Sequence, residues 1–252
     1  MHLARILTTL LIMASALALP VNAASGEEPG WVLEQTCSSM GKHRIYLAPS
    51  AIKIVDQDTG NTLVSTAPDW IVRIFNDRSK KMFVSKRQEY ASGSNPFILV
   101  GLGVHFYNLP LNFKEKSSLN GMPVSLYVTP KLAGEHAGRP AAKRVDAANG
   151  ILRATYYVSS QIRAPKPAEK ILVSFYGLPD KDGIPIELHY DNTANEHMQW
   201  LTTTSLKPAK LKMNDFSYPK NYQIARREID LLSRSSTIQL EDIVDMSAGP
   251  KN

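Results

Sequence analysis

Between residues 43 and 85 the chain is cut into short apolar runs, "HRIYLA", "AIKIV", "NTLVST", "DWIVRIF" and "KMFVS". The cuts are turn-forming clusters such as "DQDTGN" at 56–61 and "NDRS" at 76–79. Runs this short, rich in β-branched and aromatic residues, read as strands, and connections of hairpin length allow only antiparallel pairing. The predicted arrangement is a meander. Alternation assigns its faces: Ile52 and Ile54 lie opposite Lys53, and Trp70, Val72 and Ile74 lie opposite Arg73. One face is expected to be apolar and the other wet.

The same pattern returns further on. "LNFKEKSSLNGMPVSLYV" has the form strand, turn, strand, and "ILRATYYV" places Leu152, Ala154, Tyr156 and Val158 on one face. In "IPIELHY", Ile184, Ile186, Leu188 and Tyr190 face away from Glu187 and His189. "MQWLTTTSL" and "AKLKM" read as two more strands, with Lys210 and Lys212 on the wet face. One segment breaks the pattern. In "PKPAEKILVSFYG", Ala168, Ile171, Leu172 and Phe175 recur at helical spacing, Pro167 stands near the start and Gly177 just past the end. Pro179 confirms the stop, and "PDKDG" turns the chain into the next strand. Periodicity leaves the type of "FILVGLGVHF" at 97–106 open. Residues 130–149, rich in Pro, Gly, Ala and charge, read as a mobile loop, and the tail 226–252 as frayed. With no internal repeat, the chain reads as a lead-in over 24–42 and a single mainly-β domain over 43–225.

Residues 1–23 stand apart. Arg5 lies in a short basic region, "ILTTLLIMASALAL" is an apolar stretch, and "VNA" at Val21–Ala23 is a small-residue cleavage site. Together they form a secretory signal peptide. The apolar stretch is too short for a membrane anchor and no later segment approaches a spanning length, so no stable transmembrane segment is expected. The mature chain is expected to be soluble in the periplasm or outside the cell. Cys37 is the single cysteine, which excludes an intramolecular disulfide and leaves stability to the core. It lies too far downstream to be an acylated lipoprotein cysteine, and no activating base is marked for it. The formal charge of +6 is dispersed and lacks a basic face interleaved with aromatics, so nucleic acid is not an expected partner.

The order of these segments resembles that of exported proteins with a LolA-like fold, the periplasmic lipoprotein-carrier type of open β-barrel, and in particular their uncharacterised relatives. The resemblance rests on "APDWIVRIFN", "LNGMPVSLYV", "YGLPDKDGIPIEL" and "LTTTSLKPAKLKMNDFSYPKNYQ", which span most of residues 43–224. It implies a strongly bent antiparallel sheet, an open half-barrel, with helix packed on the concave side. In the carriers, an apolar cavity between sheet and helix holds acyl chains. No segment matches the true carriers closely, so the resemblance does not extend to lipoprotein traffic as such.

Chemistry is thinly marked. Of the histidines, His189 and His197 lie near Asp191 and Glu196, but these flank the "DNTAN" turn without metal-ligand spacing and read as a solvated hairpin tip. Ser205, His189 and Asp191 lack a nucleophile elbow. No catalytic residue, metal or cofactor is expected. The aromatics Trp70, Trp200, Tyr156, Tyr190 and Phe175 divide between core filling and cavity lining. The candidate lining comprises Ile52, Ile54, Trp70, Val72, Ile74, Tyr156, Ile171, Leu172, Phe175, Ile186, Leu188 and Trp200. The leading expectation is a non-enzymatic binding or carrier protein of the envelope that holds a hydrophobic small molecule or lipid. The alternative is a module with a filled interior that binds an envelope protein, and a hydrolase ranks third.

Overall fold

The expected meander forms, and it extends further than its first signals. In the computed structural model, which describes residues 26–91, 106–130 and 150–231, twelve strands make one sheet. The first six are β1 (Glu27–Cys37), β2 (Gly41–Ala48), β3 (Ala51–Asp56), β4 (Asn61–Thr66), β5 (Val72–Asn76) and β6 (Lys81–Ser85), each antiparallel to the next. A short helix α1 (Arg87–Ala91) follows. The second run is β7 (Asn112–Leu119), β8 (Met122–Val128), β9 (Ile151–Ser159), β10 (Ile184–Asn192) and β11 (His197–Lys212), with helix α2 (Lys166–Tyr176) between β9 and β10. β11 returns to pair with β1, which joins the two meanders in the order β12-β6-β5-β4-β3-β2-β1-β11-β10-β9-β8-β7. The two-residue β12 (Gln223–Ile224) adds in parallel to β6. The sheet is open and curved.

Several sequence boundaries shift. Residues 24–42 are not a mere lead-in, because β1 sits at the junction of both meanders, bonded to β2 on one side and β11 on the other. Pro29 and Gly30 hid it by interrupting the β-branched pattern. The two strands expected over 198–206 and 209–213 are one sixteen-residue strand that runs through Pro208. Trp70 is not in β5; it precedes the strand with φ 53°, yet its side chain is buried in the same core as Val72 and Ile74. In β9 the buried seat belongs to Ile151 rather than Leu152, because the pairing with β10 skips a residue between Asp191 and Asn192. Part of the expected frayed tail is docked: a 3-10 turn, Glu228–Leu231, lies against β5 and β6 with Leu231 buried. Residues 1–25, 92–105, 131–149 and 232–252 lie outside the described residues, and with them the signal peptide and the segment expected to be mobile.

The helix signals hold as read. α2 ends at Gly177, whose φ of 66° is the left-handed conformation that terminates a helix without a Cβ clash. Its buried residues include Ala168, Ile171, Leu172 and Phe175, packed on the concave face of the sheet. Gly183 then lets the chain turn tightly into β10: a Cβ there would lie 2.4 Å from the Ser159 carbonyl oxygen.

The opposite face is not uniformly wet. Ala48, Ala51, Val64, Phe75, Met82, Leu211 and Phe216 form a second, smaller core on it, covered by the segment after β11. Arg73 belongs to this cover, its guanidinium 4.2 Å from the Tyr218 ring centroid, and the Lys53 ammonium donates to the Asp215 carbonyl at 2.9 Å. Arg73→Ala is therefore expected to cost about 1 kcal/mol in chemical denaturation, the magnitude of a partly desolvated cation–π contact with its stem packing. A loss under a few tenths would show that the Tyr218 stack adds nothing.

Candidate functional site

The concave interior is built row by row. Cross-strand register sets Leu33, Ile45, Ile54, Leu63 and Ile74 opposite one another across β1 to β5. All five are buried, as the alternation at Ile52 and Ile54 requires of one face or the other. From the second meander come Ala154, Tyr156 and Val158 of β9, Ile184, Ile186, Leu188 and Tyr190 of β10, and Trp200 and Leu201 of β11. α2 roofs this surface. The twelve side chains expected to line a cavity all fall in this one buried cluster.

Among the described residues, a few polar ties reach the helix from the sheet and from the segment before β7. Trp200 Nε1 donates to the Tyr176 carbonyl at 3.3 Å, the Tyr107 hydroxyl to the Ser174 carbonyl at 3.0 Å, and the Phe106 amide to the Gly177 carbonyl at 3.1 Å. Phe106 fills the space beside Tyr190 and Trp200, with ring centroids 5.3 and 5.0 Å away.

A cavity of about 20 Å³ remains at the β3–β5 end, lined by Met40, Ile54, Asp56, Asn61, Leu63, Ile74, Phe175 and Glu228. Ile54, Ile74 and Phe175 were expected to line a cavity; Asn61, Asp56, Met40, Leu63 and Glu228 were not. Glu228 carried no sequence signal, because nothing around it suggests that its turn folds back against the sheet.

Burial governs the ionisable groups around this end. His43, with no accessible surface, packs edge-on to Phe175 at 5.0 Å and to Tyr176 at 5.4 Å. Desolvation lowers its pKa to about 4 against the opposing pull of Asp56 and Asp58, so it is neutral at pH 7. Glu228 is 2% exposed, and burial raises its carboxyl to about 8. Burial likewise raises the Cys37 thiol and the Tyr156 and Tyr176 hydroxyls. A neutral, inert thiol is no nucleophile. Asp56 is engaged by its own turn: one oxygen accepts from the amides of Asp58 and Thr59, the other from the Thr59 hydroxyl.

The histidine cluster lies at a hairpin tip. β10 and β11 bring the His189 and His197 rings to 4.8 Å, and each ring meets its own carboxylate: His189 Nδ1 to Glu187 at 3.3 Å, His197 Nδ1 to Asp191 at 3.0 Å. Among the described residues, no three His, Cys, Asp or Glu side chains gather as a metal site would require.

This arrangement, an open curved antiparallel sheet with a helix on its concave side, is the one the sequence resemblance implies. No protein-family model matches the chain, and no curated protein matches it in sequence. Among solved structures it is similar to an uncharacterized conserved protein from Thermus thermophilus, at 12% identity over 79% of this chain and 91% of that one, with a TM-score of 0.43. It is also similar to the MucA/MucB complex structure of Pseudomonas aeruginosa, at 11% identity and a TM-score of 0.39, covering 80% of this chain but only 59% of that one. A LolA superfamily protein from Nitrosomonas europaea matches at 8% identity over 77% of this chain and 91% of that one, with a TM-score of 0.25. Among the described residues no helix is long and apolar enough to cross a membrane.

Proposed function

We propose that the protein is an exported, non-enzymatic binding or carrier protein of the cell envelope, holding a hydrophobic, lipid- or acyl-chain-like ligand between α2 and the concave face of its sheet. The observation that carries this reading is how the interior is covered. The ladder from β6 to β7 is complete without α2, which adds side-chain packing and a handful of polar ties. Lifting the helix would expose a continuous apolar surface without unmaking a strand pair. An apolar ligand could then replace the helix contacts at little cost in hydrogen bonds.

The second reading is a protein-interaction module with a filled interior, and the small size of the cavity described at the β3–β5 end supports it. About 20 Å³ holds one water and no acyl chain. On that reading, exposed apolar side chains such as Phe113 on the edge strand β7 and Ile224 on β12 would meet a protein partner. A hydrolase stays third, because among the described residues the buried His43 has no hydroxyl or thiolate within hydrogen-bonding reach to activate.

Solvent extraction of the mature protein purified from its native envelope, followed by mass spectrometry, separates the two. A stoichiometric lipid supports the carrier, and its absence together with failure to bind a fluorescent fatty-acid probe decides for the filled interior. Phe175→Ala adds a graded measure. Beside a partly empty cavity it should cost about 2–3 kcal/mol, less than the roughly 3–5 typical of a close-packed phenylalanine, and should change probe affinity severalfold. A loss of about 4 or more with no probe binding by the wild type would overturn the carrier reading.

A further inference from the structure

On the edge strand β7, Phe113 is 53% exposed, and around it two cations alternate with two rings. Lys116 Nζ lies 5.9 Å from the Phe113 ring centroid, and the Phe113 and Tyr127 centroids are 5.8 Å apart. Lys181 Nζ, reaching across from the turn before β10, lies 5.3 Å from the Tyr127 centroid. A bulge assembles this cluster. Phe113 pairs with Tyr127 and Glu115 with Leu126, so Lys114 is an extra residue in the ladder. Lys116 consequently pairs with Ser125 and shares the face of Phe113 and Tyr127, where a regular strand would turn it to the other. Glu115 takes the opposite face. Carboxylates are thereby kept away. Glu115 pairs with Lys114 at 3.8 Å, and α2 engages the acids that flank Lys181, Asp180 through Lys170 and Asp182 through Lys166. Among the described residues, Lys116 and Lys181 form no ion pair; they donate to the Ser125 hydroxyl at 2.9 Å and the Leu111 carbonyl at 3.0 Å.

We propose that this cluster docks the protein on an anionic phospholipid bilayer, with Phe113 entering the headgroup layer and Lys116 and Lys181 meeting lipid phosphates. This rests on the carrier reading above, for which it is the point of contact with the membrane that gives or takes the ligand. Two uncompensated cations beside an exposed ring match a surface that is anionic outside and apolar just beneath. The lysine stems lie along the rings while their ammonium groups remain available to phosphate. The chain's positive net charge adds attraction at longer range. The competing occupant of a sheet edge is a strand from another protein. Here the bulge at Lys114 interrupts the row of free backbone groups, and the lysines at 114 and 116 oppose edge-to-edge pairing. The edge is closed to a strand, and its exposed ring is left to a surface.

The test is co-sedimentation of the mature full-length protein with vesicles of phosphatidylcholine alone or with about 30% phosphatidylglycerol, at low salt. The wild type is expected to bind the anionic vesicles at least about tenfold more tightly, and to lose most of that binding as salt rises to about 0.5 M. The double variant Lys116→Gln, Lys181→Gln should weaken it at least about tenfold. Lys207→Gln with Lys220→Gln, which removes the same charge from exposed lysines elsewhere, should weaken it about threefold or less. Phe113→Ser, at an exposed position that leaves the core intact, should weaken it about fivefold. Lys116→Arg with Lys181→Arg keeps both charges and should bind as the wild type does, which separates lost charge from lost fold. Failure of the wild type to sediment, equal losses for the two glutamine pairs, or full binding by Phe113→Ser overturns the docking. Binding to a glutamate-rich peptide in place of vesicles also overturns it and gives the cluster to an acidic protein partner. Each of these results leaves the co-purified lipid and the fatty-acid probe to decide the carrier reading separately.

Discussion

Ile54→Asp is expected to cost at least about 4 kcal/mol, enough to unfold much of the protein under native conditions. Ile54 has no accessible surface and sits mid-row, with Ile45 on one neighbouring strand and Leu63 on the other. The row supplies no cation, so the new carboxylate must stay buried and unpaired or take up a proton, and either costs several kcal/mol. Ile186→Asp, on β10 in the same core, should behave alike. Lys53, one residue away on the other face, gives the control. Lys53→Ala loses the bond to the Asp215 carbonyl and a contact over Tyr46, together about 1 kcal/mol or less. Equal losses for Ile54→Asp and Lys53→Ala in urea would show that the two faces of β3 are not distinguished by burial.

That face assignment was readable from residues 51–55 alone, because a half-buried strand writes its orientation into every second side chain. The same holds for β10, and for α2 with its proline-first, glycine-last boundaries. What failed to read had a different origin in each case. β1 carries Glu27, Glu28, Pro29 and Gly30 in its first half, so neither β propensity nor alternation marks a strand that nonetheless joins both meanders. Pro208 looked like a break, but β11 carries it opposite Trp31 of β1 without interruption. The second core escaped because its cover, Phe216, Tyr218 and Tyr222, comes from a segment with no period of its own. The site divides the same way. Its apolar wall, Ile54, Ile74 and Phe175, is a property of periodic elements, whereas Asn61 is the first residue of β4, next to the turn, and Glu228 lies in a 3-10 turn with no period of its own.

Glu228 and His43 should together give stability an asymmetric dependence on pH. The Glu228 carboxyl is raised from 4.5 to about 8, so between those values the folded chain holds a proton that the unfolded chain has released. Stability therefore falls as pH rises through that window, by about 1.4 kcal/mol per unit for a single group. His43 is lowered from 6.5 to about 4, so over that range the unfolded chain holds the extra proton and stability rises with pH. From about 4.5 to 6.5 the two slopes cancel. Of these two groups only Glu228 titrates above 6.5, and its titration should cost about 2 kcal/mol by pH 8. The groups around Glu228 do not reverse this sign: Asp56 belongs to the same cavity wall, Tyr90 of α1 interacts with it, and the neighbouring Arg227 and Asp230 pair with each other at 2.9 Å. Glu228→Gln removes the falling limb. The variant should gain stability from about pH 4 to 6.5 and stay level above, so that at pH 8 it exceeds the wild type by about 2–4 kcal/mol, the spread allowing for a changed hydrogen bond. Urea midpoints at half-unit pH steps would show both curves. Parallel profiles for the two proteins would mean that the carboxyl is solvated, and that the Glu228–Leu231 turn does not seal the cavity.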